Sequence, residues 1–512
     1  MKGLLYILLP IVAFVAMGNV ENRQFLDVRL SPEDVTADSL RAICLSDSGN
    51  VYYNSGNYQD AIALETQALE IFKRLFGEYS LDYTISLNNI ALDYCYLGDY
   101  RKAVELGKKV VSINRQIVGE DNPDFATSLG NLALYYYYLG DYVNAIEIGE
   151  KVVALKKSLG RNVSYALALI QLAGYYSFYG DNTRSISLGE EALAVIREQV
   201  EGNENIYITV LSNLSIYYGN SGDYVKALSY AEKSVEECRR CFGEDYHDYG
   251  ICLHNLSMSF SYLGKYDDAI RVQKQVLEAF GRKPGKKHPD YAIALHSMAR
   301  YYCLSCNYDK AIQCCMDALD ILEESVGRNH PNFFNSLSDL ALNYIYVGRY
   351  DEAIGILSNL MESEVKISGK NSRSYATLLS NLSLAYYYMG RYKEAVDVGL
   401  EAKSIRENTI GISHPEYLIS LKNLAVSCAS AGDFIVSEQN ALDMSKLCGK
   451  LIFTTFRDLS SNERRDFWGE YKELYEILLP RLVYEIKSDS LICAMYDGAL
   501  LSKGILLNSE ME

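Results

Sequence analysis

Leu129-Gly130-Asn131-Leu132-Ala133-Leu134-Tyr135-Tyr136-Tyr137-Tyr138-Leu139-Gly140-Asp141-Tyr142-Val143-Asn144-Ala145 reads as two helices that meet at a turn. Counting back from Gly140, Leu129, Leu132 and Tyr136 stand 11, 8 and 4 residues earlier. At about 100° per residue these positions fall within about 60° of one another, so they form one stripe to be buried. Gly140 ends the first helix in a conformation that costs other residues more. Three residues after Tyr142, Ala145 leaves room for the second helix to approach the first. A hairpin built this way cannot cover its own apolar stripe, so it needs neighbours.

The neighbours are in the chain. The same turn recurs at Gly56, Gly98, Gly140, Gly180, Gly222, Gly264, Cys306, Gly348, Gly390 and Gly432, spaced by 42 residues except for 40 between Gly140 and Gly180. Leucine stands 11 before the turn in all ten: Leu45, Leu87, Leu129, Leu169, Leu211, Leu253, Leu295, Leu337, Leu379 and Leu421. Eight before, nine of ten are Ile, Leu or Met, and four before, nine are Tyr or Phe. Self-similarity at a fixed period is the mark of a stacked array. The chain therefore reads as all-α, a solenoid of about ten hairpins over residues 40–446. A spacer at 19–39 precedes it and a C-terminal helical segment at 447–512 follows.

Composition agrees with a helical array. Of 512 residues, 49% are hydrophobic, 22% are charged and eight are proline. Forty-four tyrosines are the departure from ordinary usage. A formal charge of -17 repels a phosphate backbone, which argues against nucleic acid as a partner. Residues 1–18 have signal-peptide anatomy: Lys2, an apolar run from Gly3 to Met17, and small Ala16 and Gly18 around a cut after Gly18. Export to the periplasm or medium follows, with an N-terminal membrane anchor as the alternative; no later segment reads as a membrane span.

Twelve cysteines include two CxxC pairs, Cys238 with Cys241 and Cys303 with Cys306. Cys306 occupies a turn position held by glycine elsewhere, and Cys428 a position held by Tyr or Phe. Cysteine thus behaves here as a small apolar substitute, not as a metal ligand. In an oxidising compartment Cys303 and Cys306 form the one bridge to test. Of six histidines, His288, His330 and His414 recur in equivalent loops and His254 and His296 at equivalent helix positions. Repetition accounts for them, and a catalytic dyad needs unlike elements meeting in space. No phosphate loop, serine triad or metal-spaced pair stands out, so no enzyme activity, cofactor or metal is expected. The basic loop of Arg282, Lys283, Lys286 and Lys287 reads as a solvated charge run.

The leucine, the Gly-Asp-Tyr turn and the following alanine at these offsets are similar to the tetratricopeptide repeat. The usual unit is about 34 residues; the longer unit here, with His-Pro before several hairpins, resembles kinesin light chains. The resemblance implies a right-handed superhelix with the first helix of each hairpin lining the concave face. It also implies that Asn89, Asn131, Asn213, Asn255, Asn381 and Asn423, nine before the turn, contact a bound peptide. Asp47, Gln171, Ser297 and Asp339 replace asparagine in the other repeats, which leaves the role open there. Two before the turn stand Tyr96, Tyr138, Phe178, Tyr262, Tyr346 and Tyr388. Both sets lie roughly opposite the leucine stripe. Asparagine offers donor and acceptor to an extended backbone, and tyrosine adds flat contact area at low entropy cost. The alternative is that these residues join adjacent hairpins.

After Lys446 the period stops. Ser460 and Glu463 form a possible capping box for a helix through Arg464, Trp468, Tyr471 and Leu478, and a second helix is expected from Asp489 to Leu507. Residues 496–507 resemble the lead-in to a CHAT-type cysteine peptidase domain of bacterial proteins. The expected function is a non-catalytic bacterial scaffold that binds a protein or extended peptide on its concave face. The alternative is the sensor half of such a peptidase.

Overall fold

The computed structural model describes residues 37–510 except 329, 368, 413–414, 457–467 and 469–473; of 367, 415, 451, 454–456 and 501–510 it describes the backbone alone. The N-terminal apolar segment, His414, Ser460, Glu463, Arg464 and Tyr471 lie outside the described residues.

Ten hairpins follow one another. They are α1 (Ala37–Asn54) with α2 (Tyr58–Phe76), α3 (Leu81–Tyr96) with α4 (Tyr100–Ile117), α5 (Pro123–Tyr138) with α6 (Tyr142–Ser158), and α7 (Val163–Tyr179) with α8 (Asn182–Arg197). Then come α9 (Glu204–Ser221) with α10 (Tyr224–Phe242), α11 (His247–Tyr262) with α12 (Tyr266–Phe280), and α13 (Pro289–Leu304) with α14 (Tyr308–Ser325). The last three are α15 (Pro331–Tyr346) with α16 (Tyr350–Ile367), α17 (Arg373–Tyr388) with α18 (Tyr392–Thr409), and α19 (Pro415–Ala431) with α20 (Phe434–Phe456). A π-helical turn, Leu474–Leu478, leads into α21 (Leu479–Ile486) and α22 (Asp489–Glu510). No strand occurs among the described residues.

Each residue of the Gly-Asp-Tyr turn has a separate task. The glycine takes positive φ, 90° at Gly98 and 87° at Gly222, where a side chain would be strained. The aspartate is the N-cap of the second helix: Asp99, Asp141, Asp181 and Asp223 each accept from the backbone N–H three residues on, at 3.0–3.2 Å. Each such cap contributes about 1 kcal/mol. Cys306 holds the glycine conformation at φ 60°. The first helices are capped by Ser80, Asn122, Asn162 and Ser372. In the His-Pro loops the cap is imidazole: His288 and His330 Nδ1 accept from the N–H of Asp290 and Asn332 at 3.2 and 3.1 Å. Proline then opens the helix, where its missing N–H costs nothing.

The alanines after the turn are fully buried at the crossing of each hairpin. Seven of the ten stripe leucines are buried, while Leu45, Leu129 and Leu337 are half-buried. The aromatics four before the turn are mostly half-exposed, at the rim of the stripe. Cations from the second helix or its cap lie over several of them: Lys226 over Tyr218 at 4.9 Å, Arg349 over Tyr344 at 3.9 Å, Arg391 over Tyr386 at 4.5 Å.

The right-handed superhelix is tight enough to touch itself. A Cβ added to Gly56 would sit 2.7 Å from Pro289, one on Gly98 2.7 Å from Pro331, and one on Gly180 2.6 Å from the Ile410 carbonyl oxygen. In these three contacts the turn of one hairpin meets the entry of the hairpin six places on: first to seventh, second to eighth, fourth to tenth. His330 Nε2 donates to the Tyr96 carbonyl at 2.9 Å. Tyr58 is buried in one cluster with Ala292, Leu295 and Phe333. The guanidinium of Arg373 lies 5.6 Å from the centre of the Phe178 ring. These contacts form a seam between successive superhelical turns.

Candidate peptide-binding face

The asparagines nine before the turn are all buried, none more than 9% exposed. Asn131 Nδ2 donates to Asn88 Oδ1 at 2.9 Å, Asn255 to Ser212 Oγ at 2.7 Å and Asn381 to Ser338 Oγ at 3.2 Å. In each case the acceptor lies 43 residues earlier, ten before the preceding turn. Asp339 follows the same register, holding His296 Nε2 at 2.8 Å. Asn89 reaches Glu65 Oε1 at 3.1 Å, which also accepts from Ser46. Asn213 and Asn423 are buried at the equivalent places. Position nine therefore grips position ten of the hairpin before it, whichever donor and acceptor stand there. In adjacent hairpins, Asn255 Oδ1 and Ser297 Oγ have no hydrogen-bond partner among the described residues.

The aromatics two before the turn stack on the turn tyrosine of the preceding hairpin. The pairs are Tyr96 on Tyr58, Tyr138 on Tyr100, Phe178 on Tyr142, Tyr262 on Tyr224, Tyr346 on Tyr308 and Tyr388 on Tyr350, with centroids 5.3–6.3 Å apart. Where the turn residue is Asn182, the partner place holds Asn220, and the stack becomes a hydrogen bond from Asn182 Nδ2 to the Asn220 carbonyl at 3.0 Å. Eleven of the forty-four tyrosines thus belong to a ladder that joins hairpins.

Sequence reading overlooked two sets. Tyr135, Tyr175, Tyr217 and Tyr301, five before the turn, are among the largest fully buried side chains. The Tyr217 hydroxyl donates to the Ile170 carbonyl of the preceding hairpin at 2.6 Å. Burial pushes its phenol well above the ordinary range. The signal was present, since all four are in Tyr-Tyr runs that a single stripe cannot use up.

The second set is ionic and lies at the seam. His247 Nε2 meets Asp290 Oδ2 at 3.0 Å, and Arg373 Nε donates to both Glu416 oxygens at 3.0 and 3.1 Å, each pair again 43 residues apart. Burial works against the charge on His247, but hydrogen bonds with Asp248 and Asp290 outweigh it and hold the imidazole up at about 9. Burial also raises Asp290, yet His247 and His288 together hold it below the usual carboxylate range. Among the described residues no carboxylate pairs with His330, and burial lowers it to about 4. Its two ring nitrogens are both in use, one as donor to Tyr96 and one as acceptor from Asn332, which requires the neutral form.

The cysteines are thiols throughout. Cys303 is buried, whereas Cys306 stands exposed in the turn, so the proposed bridge is not made in this structure. Cys95, Cys238, Cys252, Cys315, Cys428 and Cys448 are also buried, as small apolar residues are. Among the described residues no group of His, Cys, Asp and Glu is placed to hold a metal ion, and no helix is long and apolar enough to cross a membrane.

With this geometry in place, comparison with known proteins is decisive for the family. The tetratricopeptide repeat model matches residues 40–116, 124–198, 206–282, 263–324, 290–358, 333–408 and 374–441, well over half of the chain. The chain belongs to the tetratricopeptide repeat family. No curated protein matches it. Among solved structures, a Rap protein complexed with competence and sporulation factor aligns over 72% of this chain and 98% of its own, with TM-score 0.51 and 14% identity. A putative kinesin light chain from Podosopora anserina aligns over 39% of this chain and 94% of its own, with TM-score 0.34 and 20% identity. BtubC (BKLC) from P. vanneervenii aligns over 44% and 92%, with TM-score 0.37 and 20% identity. At such identities the likeness is one of fold. This tetratricopeptide chain is a repeat scaffold in which both sequence-derived ladders lie between hairpins.

Proposed function

We propose that the chain binds an extended protein segment along its concave face, and that the segment gains access as the seam opens. The observation that carries this reading is the pair of unused buried atoms, Asn255 Oδ1 and Ser297 Oγ, at the same register of adjacent hairpins. Leaving a buried acceptor unmade costs about 1–3 kcal/mol. Backbone N–H groups of a bound strand would recover that cost. Asn89, Asn131, Asn213, Asn381 and Asn423 extend the same line, with Tyr96, Tyr138, Phe178, Tyr262, Tyr346 and Tyr388 beside it.

Ser297→Ala is the cleanest probe, because it removes a hydroxyl that no described group needs. Stability should hold or rise while affinity capture of the partner falls. A folded Ser297→Ala, Asn255→Ala protein that captures the same partners in the same yield ends the proposal. Burial of Asn131 means that Asn131→Ala with Asn213→Ala also destabilises the array, so that variant reports on binding only alongside an unfolding curve.

The second reading, sensor half of a CHAT-type peptidase, draws on α22. Its exposed residues Ile492, Tyr496 and Leu500 form an outward apolar stripe of the kind a neighbouring domain covers. Export through residues 1–18 belongs to either reading. The DNA beyond the codon for Glu512 tests the second one: absence of an open frame with His and Cys motifs, there or in the adjacent gene, removes it.

A further inference from the structure

A single buried cysteine fills a core as any small residue does. Two cysteines that meet across an interface between hairpins ask for more. Cys238 stands 16 after the turn glycine Gly222, on α10, and Cys252 stands 12 before Gly264, on α11. In this register the second helix of one hairpin touches the first helix of the next. Asn114 Nδ2 reaches Ser128 Oγ there at 2.6 Å, and Arg406 Nη1 reaches Ser420 Oγ at 2.7 Å. Cys238 and Cys252 hold the same two places between hairpins five and six, and their thiols hydrogen-bond each other. Both lie in one core cluster with Val272, Val276 and Phe280, 0% and 1% exposed. In no other adjacent hairpins do both places hold cysteine.

We propose that Cys238 and Cys252 form a disulfide that ties α10 to α11, made by exchange with a small-molecule disulfide while hairpin six docks on hairpin five. One cysteine thiolate attacks the small disulfide and expels a small thiolate. The other then attacks the protein sulfur of the mixed disulfide and expels the second. Two protein thiols and one small disulfide become one protein disulfide and two small thiols, which carry away both electrons and both hydrogens.

The timing follows from burial. In the finished fold, the hydrogen bond to Cys238 and burial hold the Cys252 thiol well above its usual range, so little thiolate forms and neither sulfur is open to an oxidant. Exchange therefore precedes the closing of this interface. The export proposed for residues 1–18 would bring the chain to such an oxidant. The bond closes a loop of about 15 residues, which restricts the unfolded chain. It also fixes the interface at which Asn255 grips Ser212.

Refolding the full chain in a buffer of oxidised and reduced glutathione tests this. Free thiols are blocked with N-ethylmaleimide in denaturant, the chain is cut with trypsin without reduction, and mass spectrometry reads the link between peptides 234–239 and 241–265. The second peptide also holds Cys241, so Cys241→Ser separates the proposed bond from a CxxC bridge within α10. Wild type and Cys241→Ser should both be linked in most chains. In the folded protein dithiothreitol should cleave the link at least tenfold more slowly than in denaturant. Oxidised wild type should also unfold at higher urea than the reduced chain, and Cys252→Ser should lose that gain. Serine fills the place of Cys252 in hairpins two, three, eight and ten, so this variant keeps the fold, which circular dichroism checks. Three results overturn the proposal: Cys252 fully labelled by maleimide in refolded wild type, a link that disappears in Cys241→Ser, or a gain in urea that is absent or that Cys252→Ser retains.

Discussion

The first two hairpins and the last three obey the same sequence rule, yet their turn edges live in different surroundings: Gly56 and Gly98 meet Pro289 and Pro331, while a Cβ on Gly348, Gly390 or Gly432 would meet nothing within 4 Å. Tyr58 and Tyr392 hold equivalent places after the turn; the first is 8% exposed and the second 37%. What separates them is the presence, six hairpins later, of an entry to dock on. Identical local chemistry thus becomes core at one end of a solenoid and surface at the other.

Truncating the tyrosines should break the equivalence most visibly. Tyr58→Ala removes a ring buried against both Tyr96 and the seam and should cost about 3–5 kcal/mol, whereas Tyr392→Ala should cost under about 1 kcal/mol. Denaturant unfolding measures both, and equal losses would mean that the seam does not form in solution. The glycines come next. Gly98→Ala and Gly390→Ala share the penalty of a side chain at positive φ, about 1–2 kcal/mol. Only the first also collides with Pro331, which adds about 1–3 kcal/mol.

Titration sharpens the same contrast without mutation. His330 is neutral in the fold, with its pKa lowered to about 4. The unfolded chain therefore binds the extra proton first, and the seam weakens as pH falls from about 6.5 towards 4. His247 behaves in the opposite sense. Its pKa is raised to about 9, so its contribution is complete below about pH 6.5 and disappears as pH rises through 9. The seam should be most stable at neither extreme, between the two ranges. Hydrogen exchange at the Tyr96 and Phe178 ends of their helices, followed from pH 5 to pH 9.5, should report it, while the open edge at Gly390 stays insensitive. The smallest contrast is expected at the rungs. Asn131→Ala and Asn381→Ala each remove one buried bond to the preceding hairpin and should cost about 1–2 kcal/mol alike, since neither depends on the seam.

Much of the array could be read from the chain. Leucine 11 before the turn and alanine after it marked the core because helical period and burial are local matters. The face opposite the leucines was also legible, and so was its regularity. Its partners were not. Asn131 looks free for a ligand until the hairpins are stacked, when position nine of one meets position ten of the previous one. The paired change of Tyr to Asn182 and aromatic to Asn220 carried that information, but it becomes readable only with the 38-residue offset in hand. The cap role of Asp141 and the imidazole caps of His288 and His330 were within reach of local reasoning, and repetition alone had seemed to account for them.

By itself the sequence determined the unit: its helices, its turn, its stripe and its number of copies, because each depends on residues a few positions apart. Tertiary structure decided what the units do together. The angle between successive hairpins is set by the packing of Tyr217, Asn255, the alanines and their neighbours across each interface. Summed over six hairpins, that angle brings His330 to Tyr96 and Pro289 to Gly56. A few degrees more or less per hairpin would leave every local feature intact and the seam unmade.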